Sequence, residues 1–200
     1  MILNNGGLRS LVAAGLILRD ESHLRVTLLH IQDGRPSAAL RCEWVHQQAE
    51  HLGIAKVVTL EMVHLHAHAW SDGAEGHAAG SFTAGPLLLA ALDTARQMQA
   101  QRVVWPGSFN GKVPAIAQAT EQMMLAQQFA ELESEAVPRL EGPLVELRDR
   151  QLVELGDSMG LSWELAWSCV GPGGHPCGTC IGCQRRQKAF EAAALVDAQA

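Results

Sequence analysis

The sequence predicts an α/β fold, a five-stranded parallel sheet with helices on both faces, and three observations carry that prediction. Short apolar runs alternate with longer amphipathic segments along the chain, the signature of strands joined by crossover helices. The runs and segments end at Asp-Gly, Pro-Gly or single glycines, the residues that turn a chain. Apolar residues make up 48% and charged residues 18% of the chain, a balance that fills a core and excludes a disordered class.

Met1 to Leu3 reads as a short first strand, and the following NNGG turns into a helix from Leu8 to Leu18. LRVTLLHI, Leu24 to Ile31, is a buried strand stopped by Asp33-Gly34. Ser37 to Leu52 has helical periodicity, with Ser37 placed as N-cap and Gly53 as the stop. KVVTL, from Lys56, is the third strand. Glu61 to Phe82 dissolves into glycine, alanine and histidine and reads as a long loop. Ala84 to Ala100 is a helix, and RVVW, Arg102 to Trp105, is a strand closed by Pro106-Gly107. Pro114 to Leu132 is a helix with proline in its first turn. Val137 to Leu140 is the fifth strand, Leu147 to Met159 a helix ended by Gly160, and Cys183 to Val196 the closing helix. Residues 1–162 form the α/β domain, and residues 163–200 a cysteine-bearing segment packed on it. Ligands of parallel sheets bind beyond the carboxyl ends of the strands. NNGG, HIQDG, EMVHLHAHAW and PGSFNG all fall on that edge.

The formal charge of −6 argues against non-specific nucleic-acid binding, which needs a basic surface. Arg185, Arg186 and Lys188 read as a solvated helix start. No apolar run is long enough to cross a bilayer, so no membrane partner is expected. MILNNGG lacks the basic and apolar regions of a secretory signal, and a cytoplasmic location is the expectation.

Four of the five cysteines lie in fifteen positions, at Cys169, Cys177, Cys180 and Cys183. In a reducing compartment such clusters bind metal more often than they form disulfides. The spacing C-x7-C-x2-C-x2-C suits one tetrahedral ion, and thiolates favour zinc over an iron–sulfur cluster here. Four thiolates leave no open position, so such an ion holds shape. His175 is an alternative fourth ligand, and a redox pair at Cys177 and Cys180 is the rival reading. Cys42, beside Trp44 and Val45, reads as a packing residue.

The turn Asn5-Gly6-Gly7-Leu8-Arg9-Ser10 joins a strand to a helix, a geometry that binds anions. With the five parallel strands and the late C-x7-C-x2-C-x2-C loop before a final helix, it resembles the 7-cyano-7-deazaguanine synthase family of PP-loop ATP pyrophosphatases. The resemblance spans nearly the whole chain. It implies an adenine nucleotide alpha hydrolase-like fold and a C-terminal zinc loop, with Cys169, Cys177, Cys180 and Cys183 as its ligands. It also implies ATP and Mg²⁺ as cofactors and a homodimer. The implied reaction is a ligase step of queuosine biosynthesis, in which an adenylated carboxylate receives nitrogen and becomes a nitrile.

The reactive corner departs from the family. Where the family has S-G-G-x-D-S, this chain keeps both glycines and the last serine but puts asparagine first and Arg9 in place of the aspartate. Arg9 cannot hold magnesium, though it can clamp a phosphate or carboxylate. Phe82-Thr83-Ala84-Gly85-Pro86-Leu87 lacks the arginine and asparagine of F-V-P-G-R-N. Asn110-Gly111-Lys112-Val113-Pro114 keeps only the proline of the family's substrate segment, and no lysine opens the helix near Leu147. These departures predict altered or lost ligase activity. Asn5, Gly6, Gly7, Arg9 and Ser10 remain the candidate phosphate or nucleotide site, and Gly85, Asn110 and Lys112 the candidate substrate cleft. No catalytic residue is assigned. The alternative functions are a non-catalytic binding or assembly module and a nucleotide- or tRNA-binding protein.

Three further features carry expectations. His64, His66 and His68 alternate and would share one face of an extended segment, about 7 Å apart, but read as a polar loop edge. Trp163 and Trp167 are expected to pack over the cysteine loop, although a stacking role toward a base is an alternative. Asp149, Glu154 and Asp157 read as a solvated helix face.

Overall fold

The computed structural model describes residues 1–34, 37–62, 84–171 and 173–198. Five parallel strands stand in the order β3-β2-β1-β4-β5: β1 Ile2–Leu3, β2 Thr27–Gln32, β3 Lys56–Glu61, β4 Arg102–Val104 and β5 Arg139–Glu141. The connecting helices are α1 Leu8–Asp20, α2 Ala38–His51, α3 Ala84–Gln97 and α4 Val113–Glu133. After β5 come α5 Asp149–Ser158, a 3₁₀ turn Trp163–Leu165 and α6 Ile181–Ala193. The register is fixed by pairs such as Ile2 with Leu28 and Ile2 with Val104.

Strand side chains alternate faces, and this splits the core in two. Ile2, Leu28 and Val104 pack with α1, α2, α5 and α6 on one face. Met1, Leu3, Leu29 and Val103 pack with α3 and α4 on the other. Leu11, Val12, Ala13 and Ala14 of α1 are fully buried, because α1 lies between the sheet and α5. Trp163, Ala166, Ala189 and Phe190 belong to that same core, so residues beyond 162 share the interior of the α/β unit.

The strand order places a reversal between β1 and β4. From β1 the chain winds outward to β2 and β3, then returns across the sheet to β4 and β5. A crevice opens at the carboxyl ends of strands whose connections diverge in this way. The turns after β1 and β4 therefore face each other across it.

Observed boundaries differ from the sequence reading in ways that have physical causes. β2 starts at Thr27 rather than Leu24, after a turn in which the Leu24 N–H bonds the Glu21 carbonyl at 3.0 Å. Ser37 occupies the N-cap position of α2, but its hydroxyl accepts from Arg41 Nε at 3.2 Å instead of capping the backbone. α6 starts two residues earlier than Cys183, because the Cys180 sulfur caps it by accepting the Cys183 N–H at 3.4 Å. The segment from His64 to His68 and the Phe82-Thr83 pair lie outside the described residues. No helix among the described residues is long and apolar enough to cross a membrane.

Candidate ligand cleft and metal centre

The turn after β1 is held by its own side chains. Gly6 has φ +73°, and a Cβ there would meet Trp44 Cβ at 2.8 Å and the Arg41 carbonyl at 2.9 Å, so this position admits only glycine. Asn4, buried, accepts the Gly6 N–H on Oδ1 at 2.7 Å and donates from Nδ2 to Gln48 Oε1 at 2.9 Å. Gln48 Nε2 donates to the Gly6 carbonyl at 3.0 Å and to the Leu165 carbonyl at 2.7 Å. Asn5 Oδ1 accepts from the Gly7 N–H at 3.1 Å and from the Ser10 hydroxyl at 3.0 Å, and the Asn5 N–H donates to Ser10 Oγ at 3.2 Å. The backbone N–H groups of residues 5, 6 and 7 are thus all bonded by side chains. In a phosphate loop such groups cradle the anion.

Opposite this turn, Trp105, Gly107, Ser108 and Phe109 follow β4, and with Asn5, Gly7, Arg9 and Ser10 they line a cavity of about 400 Å³. Trp105 and Phe109 meet edge to face at 5.9 Å. The third wall comes from α6, through Ile181, Gly182 and Arg185. Asp149, the first residue of α5, also lines the cavity. Arg185 grips both its oxygens, Nε on Oδ2 and Nη2 on Oδ1 at 2.6 Å. The bidentate fork explains why this carboxylate survives at 14% exposure. Asp149 was read from sequence as part of a solvated face, and the structure corrects this. Glu154 keeps such a role, paired with Arg150 at 2.6 Å on the surface.

The reading of Arg185 and Arg186 as a solvated helix start is corrected too. Arg186 is buried and forms an ion pair with Asp197 at 2.7 Å. It also donates to the Trp163 carbonyl at 2.8 Å and to the Ala166 carbonyl. Lys188 is exposed. Trp167 stacks on Trp44 at 5.6 Å and 13° and lines the cavity, while Trp163 packs edge-on against Phe190 at 5.3 Å.

Arg9 stands in the cavity with no hydrogen bond or ion pair among the described residues. Burial, and then the neighbouring Arg185 charge, pull its pKa down to about 10, with Asp149 working the other way. It stays cationic at neutral pH. Of the sequence-predicted residues, Asn5, Gly7, Arg9 and Ser10 come together at the cavity, with Gly6 directly behind. Gly85, Asn110 and Lys112 do not line it. Gly85 lies in the first turn of α3, where a Cβ would meet nothing within 4 Å, and Lys112 is an exposed N-cap of α4. The Asn110 side chain accepts the Asp149 N–H at 3.1 Å and so holds the start of α5. Sequence reasoning missed Asn4, Gln48, Trp105, Phe109, Asp149 and Arg185. PGSFNG had been placed on the correct edge, which was the available signal for Phe109.

The candidate metal centre lies next door. The sulfurs of Cys169, Cys177, Cys180 and Cys183 all lie within 4.8 Å of one another, with 3.9 Å between Cys169 and Cys180. Four sulfurs at about 2.3 Å from one tetrahedral ion would be a little under 4 Å apart, so the set suits a single ion. Backbone N–H groups of Gly171, Cys180 and Cys183 donate to Cys169, Cys177 and Cys180 at 3.3, 3.3 and 3.4 Å, which favours thiolate. N–H donation from Cys180 and Thr179 lowers Cys177 to about 6, while burial raises Cys183 to about 12. Four thiolates this close repel, and a divalent cation is what lets all of them ionise. His175 is exposed and outside the set. Cys42 Sγ lies 4.0 Å from Thr59 Oγ1, away from the cluster.

Comparison with known proteins agrees with this architecture. The family model described as queuosine biosynthesis protein QueC matches residues 112–194. A 7-cyano-7-deazaguanine synthase of Methanothermobacter thermautotrophicus is 28% identical over 223 aligned residues, covering 96% of this chain and 94% of the relative. Another, of Trichodesmium erythraeum, is 40% identical over 65 residues, spanning 32% of this chain and 29% of that relative. Among solved structures, the U34-tRNA thiolase NcsA of Methanococcus maripaludis, with its [4Fe-4S] cluster, superposes with a TM-score of 0.55 at 15% identity, covering 95% of this chain and 62% of the thiolase. The structural likeness shows a shared parallel α/β fold. In sequence, this chain is similar to 7-cyano-7-deazaguanine synthases along nearly its whole length, and its four clustered cysteines could hold one metal ion.

Proposed function

We propose that this chain is a zinc-binding, 7-cyano-7-deazaguanine synthase-like protein in which the ATP-dependent ligase chemistry of the queuosine-pathway enzymes is altered or lost. The observation that carries this is the turn after β1. Arg9 replaces a carboxylate that magnesium would need, and the N–H groups of residues 5 to 7 are bonded by Asn4, Asn5 and Ser10. A Mg²⁺–triphosphate would have to displace those bonds and approach an arginine with its metal. Any activity retained would still be transfer to a carboxylate carbon, with Arg9, Arg185 and Ser10 as the polar groups of the cleft. Zinc is the assigned metal because four sulfurs with no nitrogen or oxygen partner suit a closed tetrahedral site. A reducing, cytoplasmic setting suits four thiolates.

Calorimetry with ATP and Mg²⁺, run beside an assay for nitrile formation from 7-carboxy-7-deazaguanine and ammonia, tests the reading. We expect no micromolar heat and no product. Micromolar Mg²⁺–ATP affinity with turnover would overturn it.

Homodimerisation belongs to the same proposal. One face of α4 leaves Met124, Leu125, Phe129 and Leu132 more than half exposed, an apolar stripe of the kind that marks a partner surface. Packing of this stripe on its own copy about a two-fold axis would bury it.

A further inference from the structure

The cavity has a charge imbalance that its own residues do not resolve. Four arginines line it: Arg9, Arg41, Arg185 and Arg186. Asp149 is the one carboxylate among its described lining residues, and both its oxygens are engaged by Arg185. Arg186 is matched by Asp197, and Arg41 Nε is bonded to Ser37. Arg9 is left with a charge, partial burial and no hydrogen bond or ion pair among the described residues, its one favourable charge being an Asp149 already engaged by Arg185. An arginine kept in such a place is costly unless something anionic meets it. The chain as a whole carries −6, so this concave cationic spot runs against its general charge.

Two further observations point to the same occupant. Gly7, the N-cap of α1, offers no side-chain cap, so the first-turn N–H groups beside Arg9 add the positive end of the helix. Trp167, 2% exposed, is among the lining residues, and its buried indole N–H has no partner among the described residues. Trp105, Phe109 and Ile181 give the cavity apolar walls, beside the hydroxyl-bearing Ser108 and Ser168.

We propose that this cleft binds a small organic anion through direct ion pairing of one carboxylate or phosphate group to the Arg9 guanidinium, with no divalent cation. The apolar body of the ligand lies toward Trp105 and Phe109. The proposal rests on the reading of the cleft as a rebuilt ligand site, and it names the ligand class that the rebuilding selects. Arginine supplies two parallel N–H donors to a planar or tetrahedral anion, and it does so without the metal ligands that a Mg²⁺-dependent site requires.

Benzoate and phenyl phosphate are the probes, because each carries one of the two acid groups on the same flat body. The metal-loaded chain is titrated with each in magnesium-free buffer and again with added Mg²⁺. We expect one or both to bind, with affinity unchanged by Mg²⁺. Arg9→Ala weakens binding by roughly ten- to hundredfold, the range for a hydrogen bond to a charged group. Arg9→Lys retains part of it, and this variant keeps the charge should the alanine form fail to fold. Preference for one probe identifies the acid group. No binding of either probe at millimolar concentration, or binding that Arg9→Ala and Arg9→Lys leave unchanged, overturns the proposal while leaving the loss of Mg²⁺–ATP chemistry intact. Binding that requires Mg²⁺ overturns both.

Discussion

His30 shows how one residue carries a consequence of burial that no motif announces. It sits on β2 at 1% exposure, with Nδ1 3.0 Å from the Asn4 carbonyl and Nε2 without a partner among the described residues. Burial lowers its pKa below the usual 6.5, opposed by the Asn4 carbonyl and Asp33 and aided by Arg41 and His46. The sign follows. Below about 6.5 the unfolded chain takes up a proton that the folded chain resists, so stability falls as pH drops through that value and is fully present above it. Denaturant unfolding between pH 7.5 and 5 should show this loss, and His30→Gln should flatten it. An unchanged pH slope in the variant would place the acid sensitivity elsewhere. The same carbonyl ties His30 to the turn after β1, since Asn4 also holds Gly6 and Gln48. Asn4 is thus a support for the cleft rather than part of its lining.

At the scale of elements, α6 joins the cysteine cluster to the cleft. Its first turn carries Cys183 toward the cysteine cluster and Arg185 toward Asp149. Gly182, in the same turn, is pressed so closely on Ser168 that a Cβ would fall 1.9 Å from the backbone carbonyl. That contact cannot be relieved by a side-chain rotation. Gly182→Ala should therefore lift the first turn of α6 and weaken metal binding by roughly tenfold or more, the effect expected of residues that orient ligands. Gly174→Ala, where a Cβ meets nothing within 4 Å, should leave it unchanged. Competition against a chromophoric chelator distinguishes them, and equal affinities would deny Gly182 its role. Metal analysis of the purified chain should give one ion per chain. Stripping it should also cost stability, since the binding free energy of such sites, on the order of 10 kcal/mol, is folding free energy.

For the whole molecule, two interiors on opposite faces of one sheet explain where activity and assembly can lie. The face with α1, α2, α5 and α6 carries the larger apolar cluster and closes around the cleft. The face with α3 and α4 is covered by two helices, and α4 buries only Ala119 and Ala126. Its outer stripe is what remains for a partner. Leu125→Glu combined with Phe129→Glu should shift the chain to a monomer in sedimentation velocity, with little change in the midpoint of thermal unfolding of the fold itself. A wild type that sediments as a monomer at tens of micromolar would remove the homodimer reading.

Apart from the 3₁₀ turn Trp163–Leu165, which was not, the class of fold, the strands and α-helices in order and the four cysteines that come together were legible in the chain alone. These follow from local rules: apolar period, turn residues and ligand spacing act over a few positions. The glycine turn was legible for the same reason, as was Arg9 as a break from the expected carboxylate. Strand order, and with it the facing of Ser10 and Phe109 across one crevice, was decided only by tertiary structure, because crossovers of similar length can lead to either side of a sheet. The long-range pairs were equally hidden. Asp149 looks like any helix-surface acid until α6 brings Arg185, thirty-six positions later, against it. Arg186 looks solvated until Asp197 and the Trp163 carbonyl enclose it. A charge in sequence has no address: whether it meets water, a partner or a ligand depends on which elements pack beside it, and packing is a property of the folded chain.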